Sequence, residues 1–209
     1  MDADQLSASN PFGMDENCQN CPELCDTRKE IAHGYGDVGA EFLFVGERPS
    51  PGANRTGIPF FGDERGEAFQ EILRALGFVS QDPGEQPELD NAFLTLLTRC
   101  RHPERAPTDE EIRNCEPYLN AEIRMINPEI IVPVGERALR EIATEYTTTP
   151  AEEFDIEDDH ATEIRGRGFE LVPMIDPADQ TDEQREAFLQ AFSDLFGRDY
   201  RQTKGRRSR

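Results

Sequence analysis

Four short apolar runs, separated by segments whose apolar residues recur at helical spacing, constrain the fold of this chain most. The runs are residues 41–46, 92–98, 129–134 and 169–175. An apolar run of four to eight residues is typical of a strand that is buried on both faces of a sheet. Strands that alternate with helices along a chain favour parallel pairing. The sequence therefore predicts a three-layer α/β/α fold around a parallel sheet of roughly four strands.

Capping patterns indicate where two of the helices begin. Thr108 with Glu111, and Thr181 with Gln184, have the spacing of a capping box. The stretch 147–168 is polar, rich in acidic residues and without a clear period, so we expect a surface insertion there.

The predicted topology also indicates where a ligand would bind. In open α/β sheets, ligands lie beyond the carboxyl ends of the strands. Four loops are therefore expected to form the site: residues 47–63, residues 99–107, the turn at Gly135 and residues 176–181.

The chain is strongly acidic. Its 209 residues include 43 Asp and Glu against 22 Lys and Arg, a formal net charge of −21. Because phosphate-backbone affinity comes chiefly from Lys and Arg, this balance argues at first sight against a nucleic-acid partner. No apolar run reaches membrane-spanning length and no leader-like segment opens the chain, so we expect a soluble, cytoplasmic protein without a membrane partner. An acidic, lysine-poor surface also suggests a halophilic source as a hypothesis.

The end of the chain reverses this charge. Residues 198–209, RDYRQTKGRRSR, carry a net charge of +5. We expect a single domain over residues 1–197, followed by a basic tail at 198–209. The tail is either an arm that contacts nucleic acid or a disordered solubilising segment, and the sequence leaves both open.

The cysteines suggest a metal centre. Cys18 and Cys21 form a C-x2-C pair, and fourteen residues separate Cys100 from Cys115. Four thiolates from two segments can enclose one tetrahedral zinc ion or a larger iron-sulfur cluster, and the spacing does not separate these. In a third interpretation, some of the thiols are simply buried. Cys25 could compete with Cys21 as a ligand and is assigned no role.

Three longer motifs resemble a known family. They are GERPSPGANRTGIPFFGDERGEAF at 46–69, TRCRHPERAPTDEEIRNCEPYL at 98–119 and INPEIIVPVGERAL at 126–139. With the upstream cysteine pair, they are similar to the uracil-DNA glycosylase superfamily, and more narrowly to its prokaryotic iron-sulfur branches. The resemblance implies a DNA-repair glycosylase that flips a damaged base, uracil or a related lesion, and hydrolyses its N-glycosidic bond. It also implies a structural 4Fe-4S cluster on Cys18, Cys21, Cys100 and Cys115, with structural zinc as the alternative.

The resemblance also assigns roles to residues of the first loop. Gly46 and Pro49 belong to the backbone that approaches the base, and Phe60 would stack on it. Glu47 and Asp63 are the carboxylates that could orient a water and stabilise positive charge on the sugar, and Glu47 is preferred. Asp63 also precedes a predicted helix, so capping that helix is its alternative role.

Two positions depart from the family pattern. Leu96 stands where the family usually has an Asn that recognises the uracil edge, and Leu offers no hydrogen bond. Asp176 replaces a His that stabilises the departing base, and two like charges about 4 Å apart repel by about 4 kcal/mol at a near-surface dielectric. We therefore expect weakened uracil selectivity, a different lesion, or an Asp176 that is protonated or activates water. None of the three histidines is an evident substitute, and we expect all of them at the surface.

DNA contact would have to come from a local basic face. The candidate residues, besides the tail, are Arg48, Arg55, Arg99, Arg101 and Arg105. The expected partner is DNA that contains a damaged base, bound by a monomer. Two other hypotheses stay open: a catalytically weak or inactive DNA-binding paralogue, and a metal-stapled protein with an unrelated small-molecule site.

Overall fold

A mixed sheet of seven strands, in the order β1-β2-β4-β3-β5-β7-β6, forms the centre of the molecule in a computed structural model that describes residues 8–198 and 200. The strands are β1 Ala8–Ser9, β2 Tyr35–Gly36, β3 Phe42–Gly46, β4 Ala92–Leu96, β5 Ile130–Pro133, β6 Ile164–Arg165 and β7 Glu170–Leu171. The central strands β4, β3, β5 and β7 are parallel, which confirms the predicted core of the sheet. Short antiparallel strands that the sequence did not predict extend it at both edges.

Helices connect the parallel strands. They are α1 Pro22–Thr27, α2 Ala53–Thr56, α3 Glu64–Ala75, α4 Asp109–Ile126, α5 Glu136–Tyr146, α6 Ile156–Asp159 and α7 Asp182–Phe196, with a 3-10 helix at Ala151–Glu153. Both predicted capping boxes are present, at the starts of α4 and α7. They satisfy N–H groups that would otherwise lack partners in the first turn of each helix.

The alternation of side chains along β3 divides the core into two layers. Phe42 and Phe44 belong to one buried cluster, which includes residues of α3 and α7. Leu43 and Val45 belong to a second, which includes residues of α4 and α5. Because successive side chains of a strand point to opposite faces, helices cover both sides of the sheet and the predicted three layers are confirmed.

The register of the sheet brings the ends of the parallel strands together. Gly46 pairs with Leu96 at the ends of β3 and β4, and Val45 pairs with Pro133 at the end of β5. A bridge between Val134 and Met174 carries the pairing past the end of β7. The loops that follow these strands therefore open on one edge of the sheet.

Two predicted segments differ in the structure. The stretch 147–168 is more than a surface insertion, because Phe154 is only 6% exposed and packs with Leu139 and Ala143 of α5. The last predicted strand, 169–175, is reduced to β7. Val172 and Met174 still donate to the carbonyls of Ile131 at 3.0 Å and Pro133 at 2.9 Å. Pro133 of β5 has no N–H group to donate in return, so regular pairing stops at Leu171 and resumes only at the isolated bridge between Val134 and Met174.

The basic tail lies almost wholly outside the described residues. Arg198 is described, and its guanidinium forms ion pairs with Glu163 at 2.6 Å and Glu170 at 3.0 Å. It is therefore engaged within the fold rather than presented by a free arm. Among the described residues, no helix combines the length and apolar character that a membrane span requires.

Candidate active site

A cleft of about 470 Å³ lies at the carboxyl edge of the sheet. Its lining comes from the loops after β3, β4, β5 and β7, together with the start of α3. Of the residues predicted from sequence, it contains Gly46, Glu47, Arg48, Pro49, Phe60, Arg101 and Asp176. Asp63, Leu96 and Arg55 are not part of this lining.

Glu47 is held in the cleft by its backbone while its carboxylate stays available. The carbonyl of Glu47 accepts a hydrogen bond from the N–H of Thr98 at 3.1 Å, and the carbonyl of Gly46 accepts one from Leu97 at 2.8 Å. These bonds fix the end of β3 against the segment after β4. Within the described part of the chain, the Glu47 carboxylate has neither a hydrogen bond nor an ion pair, so its oxygens can accept hydrogen bonds from a water or a substrate.

Phe60 adopts a backbone conformation that side-chain-bearing residues rarely occupy. Its φ is 55°, in the left-handed region, and this kind of strain concentrates at functional sites. Its ring is stacked on Phe69, with centroids 4.2 Å apart and planes 13° apart. A Cβ at Gly46 would lie 2.6 Å from the Phe60 ring, so glycine is required there. The ring is thus supported by Phe69 and borders the cleft.

Asp63 caps α3 and ties it to the first loop. Its side chain accepts hydrogen bonds from the N–H of Gly66 at 3.1 Å and of Gly52 at 2.6 Å. Burial raises the pKa of Asp63, but hydrogen bonds from Ser50, Gly52 and Gly66 and the charge of Arg55 outweigh it and lower this pKa. The alternative, capping role is the one that the geometry supports, and only Glu47 of the two predicted carboxylates borders the cleft.

Asp176 is paired with a cation that the sequence did not single out. Arg65, at the start of α3, borders the cleft and lies 3.1 Å from an Asp176 oxygen and 2.5 Å from Asp179. The backbone N–H of Ala178 donates to the other Asp176 oxygen at 3.0 Å. The sequence predicted an unopposed negative charge at Asp176. That prediction is wrong, because Arg65 supplies an opposing charge.

Leu96 lies behind the cleft rather than in it. It is 1% exposed, and its side chain is 3.0 Å from where a Cβ of Gly46 would stand. Because Leu96 does not border the cleft, the geometry does not support its predicted role in contacting the base, and its side chain lies beneath Gly46.

Two histidines expected at the surface are instead structural. His160 accepts a hydrogen bond from the N–H of Ile175 at 3.1 Å through Nδ1, and its Nε2 lies 2.8 Å from the carbonyl of Gln184. It thereby positions the residue just before Asp176. His33 is 3% exposed, and its burial lowers its pKa to about 4. Neither histidine lies in a segment with helical or strand periodicity, so the sequence could not predict that these side chains are buried or hydrogen-bonded.

The arginines of the predicted basic face fall into two groups, those that border the cleft and those that form ion pairs within the fold. Arg48 and Arg101 border the cleft, and Arg101 donates to the carbonyl of Pro49 at 3.1 Å. Arg99 is 2% exposed and pairs with Glu122, and Arg105 pairs with Glu111 and Glu23. Arg99 and Arg105 are therefore removed from the candidate DNA contacts.

All five cysteines line one small pocket beside α1 and α4, and none is in a disulfide. Arg28 donates to the sulfur of Cys100 at 3.6 Å and Asn114 to that of Cys21 at 3.5 Å. Donors of this kind stabilise thiolate ligands of metal centres. The described residues contain no group of three or more Cys, His, Asp and Glu close enough for a single metal ion.

Burial disfavours the charged thiolate form of three cysteines in this pocket. Burial raises the pKa of Cys115 to about 11, and burial also raises the pKa values of Cys100 and Cys21. Binding of a metal or cluster must therefore displace their protons.

Known proteins resemble this chain over most of its length. The family model of the uracil DNA glycosylase superfamily matches residues 33–196. The type-4 uracil-DNA glycosylase of Sulfurisphaera tokodaii is 32% identical over 73% of this chain and 62% of its own length. The type-5 enzyme of Thermus thermophilus is 34% identical over 61% of this chain and 66% of its own, and the type-4 enzyme of Archaeoglobus fulgidus is 30% identical over 74% and 69%.

These relatives do not favour one type, since both types match at similar identity. The chain spans 62% and 66% of the first two relatives, just under two thirds of their length. The match nevertheless includes the strands, helices and loops that form the cleft. The chain belongs to the uracil DNA glycosylase superfamily.

Proposed function

We propose that this chain is a DNA-repair glycosylase that hydrolyses the N-glycosidic bond of uracil or a related damaged base flipped out of DNA. The observation that carries the proposal is the unpaired Glu47 carboxylate, which borders a cleft beside the supported ring of Phe60. The glycosylase names of the relatives support the same activity.

The reaction follows from the chemistry of the cleft. The flipped base would stack against Phe60, while the backbone at Gly46 and Pro49 approaches its edge. Glu47 would accept a hydrogen bond from a water and stabilise the positive charge that develops on the sugar. The water oxygen bonds to the anomeric carbon and its proton passes to the Glu47 carboxylate, while the electrons of the broken N-glycosidic bond leave with the base.

The part of the site that would face the departing base differs most from the family pattern. At the position of the family histidine stands Asp176, whose charge Arg65 opposes. Arg48 and Arg101 also border the cleft and make its potential more favourable to an anion. Since Leu96 offers no hydrogen bond, we propose that selectivity for uracil is weaker than the family pattern implies.

A catalytically weak or inactive DNA-binding paralogue is the second candidate. The ion pairs of Asp176 and Asp179 with Arg65 favour it, because two carboxylates share one cation near the leaving base. Strands that contain uracil, hypoxanthine, xanthine or no lesion separate the two functions when excision is followed by alkali cleavage. Cleavage at one lesion above the undamaged strand supports a glycosylase, and binding without cleavage supports the paralogue.

We also propose that Cys18, Cys21, Cys100 and Cys115 hold a 4Fe-4S cluster with a structural role. The convergence of these thiols on one pocket supports it, as do the N–H donors from Arg28 and Asn114. A cluster places each thiolate on a different iron, so its ligands surround a wider body than a single zinc ion does. The lack of a tight three-residue group in the described chain is compatible with this wider arrangement.

Replacing Cys115 with Ala is expected to lower the iron bound per chain to a small fraction of the wild-type value and to bleach the visible absorbance. The reason is that this buried thiol would be one of four ligands. Cys25→Ser is the matched control, because Cys25 lines the same pocket without being one of the four. Equal iron in the wild type and C115A, or stoichiometric zinc in place of iron, would rule out this assignment.

A further inference from the structure

A second pocket of about 270 Å³ adjoins the active-site cleft. It is lined by Thr27, Lys29, Pro51, Asn54, Arg55, Arg101 and Pro103. Pro51 and Arg101 border both cavities, so one wall is common to the cleft and the second pocket. A polymer that enters the cleft can therefore continue into this pocket without leaving the surface.

The lining of this pocket is cationic in a chain that is strongly acidic. It contains Lys29, Arg55 and Arg101 and no carboxylate, although the chain has 43 acidic residues against 22 basic ones. Within the described residues these three cations form no ion pair, whereas Arg65, Arg105 and Arg198 all do. Asp63 interacts electrostatically with Arg55 and Arg101, but it lies outside the lining and forms an ion pair with neither, so the pocket itself presents three positive charges.

Hydrogen bonds join the segments that carry these cations. The hydroxyl of Thr27 donates to the carbonyl of Arg101 at 3.1 Å, and the N–H of Lys29 donates to the Asn54 side chain at 3.1 Å. Arg55 donates to the carbonyls of Pro51 at 3.1 Å and Gly62 at 2.7 Å. The pocket is thus held together before any ligand binds, and the ammonium of Lys29 has no partner among the described residues.

The chemistry of the lining indicates which kind of ligand fits. Lys and Arg with a hydroxyl and an amide are groups that bind phosphate oxygens. The lining has no aromatic ring on which a base could stack. We propose that this pocket binds one backbone phosphodiester of the DNA strand, next to the nucleotide that occupies the cleft. This inference rests on the proposed function and extends it to a site that sets the path of the strand.

Lys29 offers the clearest test, because it is exposed and its side chain makes no internal hydrogen bond. Lys29→Gln is expected to weaken binding of a lesion-containing strand about fivefold at moderate salt and to reduce the salt slope by about 0.7 to 0.9, the contribution of one phosphate. Lys29→Arg should retain both. Arg167→Gln removes one exposed cation that lines neither pocket and is the matched control.

A strand with single neutral methylphosphonate linkages locates the phosphate. For the wild type, one linkage close to the lesion should weaken binding about fivefold, and K29Q should be insensitive to that same linkage. Equal affinity and salt slope in K29Q and R167Q, or no sensitive linkage, would overturn the proposal. Because binding is measured separately from base release, a protein that binds in this way but releases no base would contradict the proposed function alone.

Discussion

Replacing Glu47 with Gln is expected to slow single-turnover base release about 10²- to 10⁴-fold, the range for loss of a positioned base and its electrostatic stabilisation. Gln keeps the size of the side chain but cannot take a proton from the attacking water or offset positive charge on the sugar. Affinity for DNA should change little, since the bond that holds this loop is made by the Glu47 carbonyl, which the substitution keeps, and not by its carboxylate. Release of the base and binding of the strand are measured on the same preparations.

The matched control is Glu64→Gln, which makes the same chemical change at an exposed position on α3 outside the cleft. Its rate of base release should equal that of the wild type. If E47Q retains more than about a tenth of the wild-type rate, the water is activated by another group and Glu47 loses its assigned role.

Replacing Glu122 with Ala is expected to lower the free energy of unfolding by about 3–5 kcal/mol, the range for removing one partner of a buried ion pair. Glu122 lies 2.7 Å from Arg99, and the two side chains are 1% and 2% exposed. Glu122 also accepts a hydrogen bond from the N–H of Gly34 at 3.1 Å. Without the carboxylate, the guanidinium of Arg99 stays buried and uncompensated.

Denaturant titration measures this change, with unfolding followed by circular dichroism. Glu116→Ala, at an exposed position of the same helix, should shift the free energy of unfolding by no more than about 0.5 kcal/mol. A loss below about 1 kcal/mol in E122A would mean that water or a rearranged side chain replaces the lost charge. Arg99 precedes Cys100, so if the cysteines hold the proposed cluster, E122A should lose its iron at a lower temperature than the wild type.

The parallel strands were predictable because each one is a continuous apolar run that the hydrophobic effect buries on both faces. The edge strands β1, β2 and β6 were not, since two residues carry no period and pairing alone defines them. The capping boxes of α4 and α7 were predictable because their partners are three residues apart. Local sequence patterns thus predicted the strands and helix starts that local interactions produce.

The same distinction between local and tertiary causes applies to the residues of the candidate site. Residues in the loops that follow strands, such as Glu47 after β3 and Asp176 after β7, could be located from sequence because topology brings those loops together. The partners of charged groups could not: Arg65 meets Asp176, and Arg99 meets Glu122, only through the tertiary fold. The sequence identifies the charges in a region, but it does not identify which of them neutralise each other.

The most direct test of the proposed function is the amount of free base that the wild type releases from a strand with a single uracil, compared with an identical undamaged strand. We expect free uracil to appear in equal amount to abasic sites, with no release from the undamaged strand. Release at the undamaged rate from a strand that the protein demonstrably binds would contradict glycosylase action on uracil. If hypoxanthine and xanthine strands gave the same result, the chain would be a DNA-binding member of its superfamily without this chemistry.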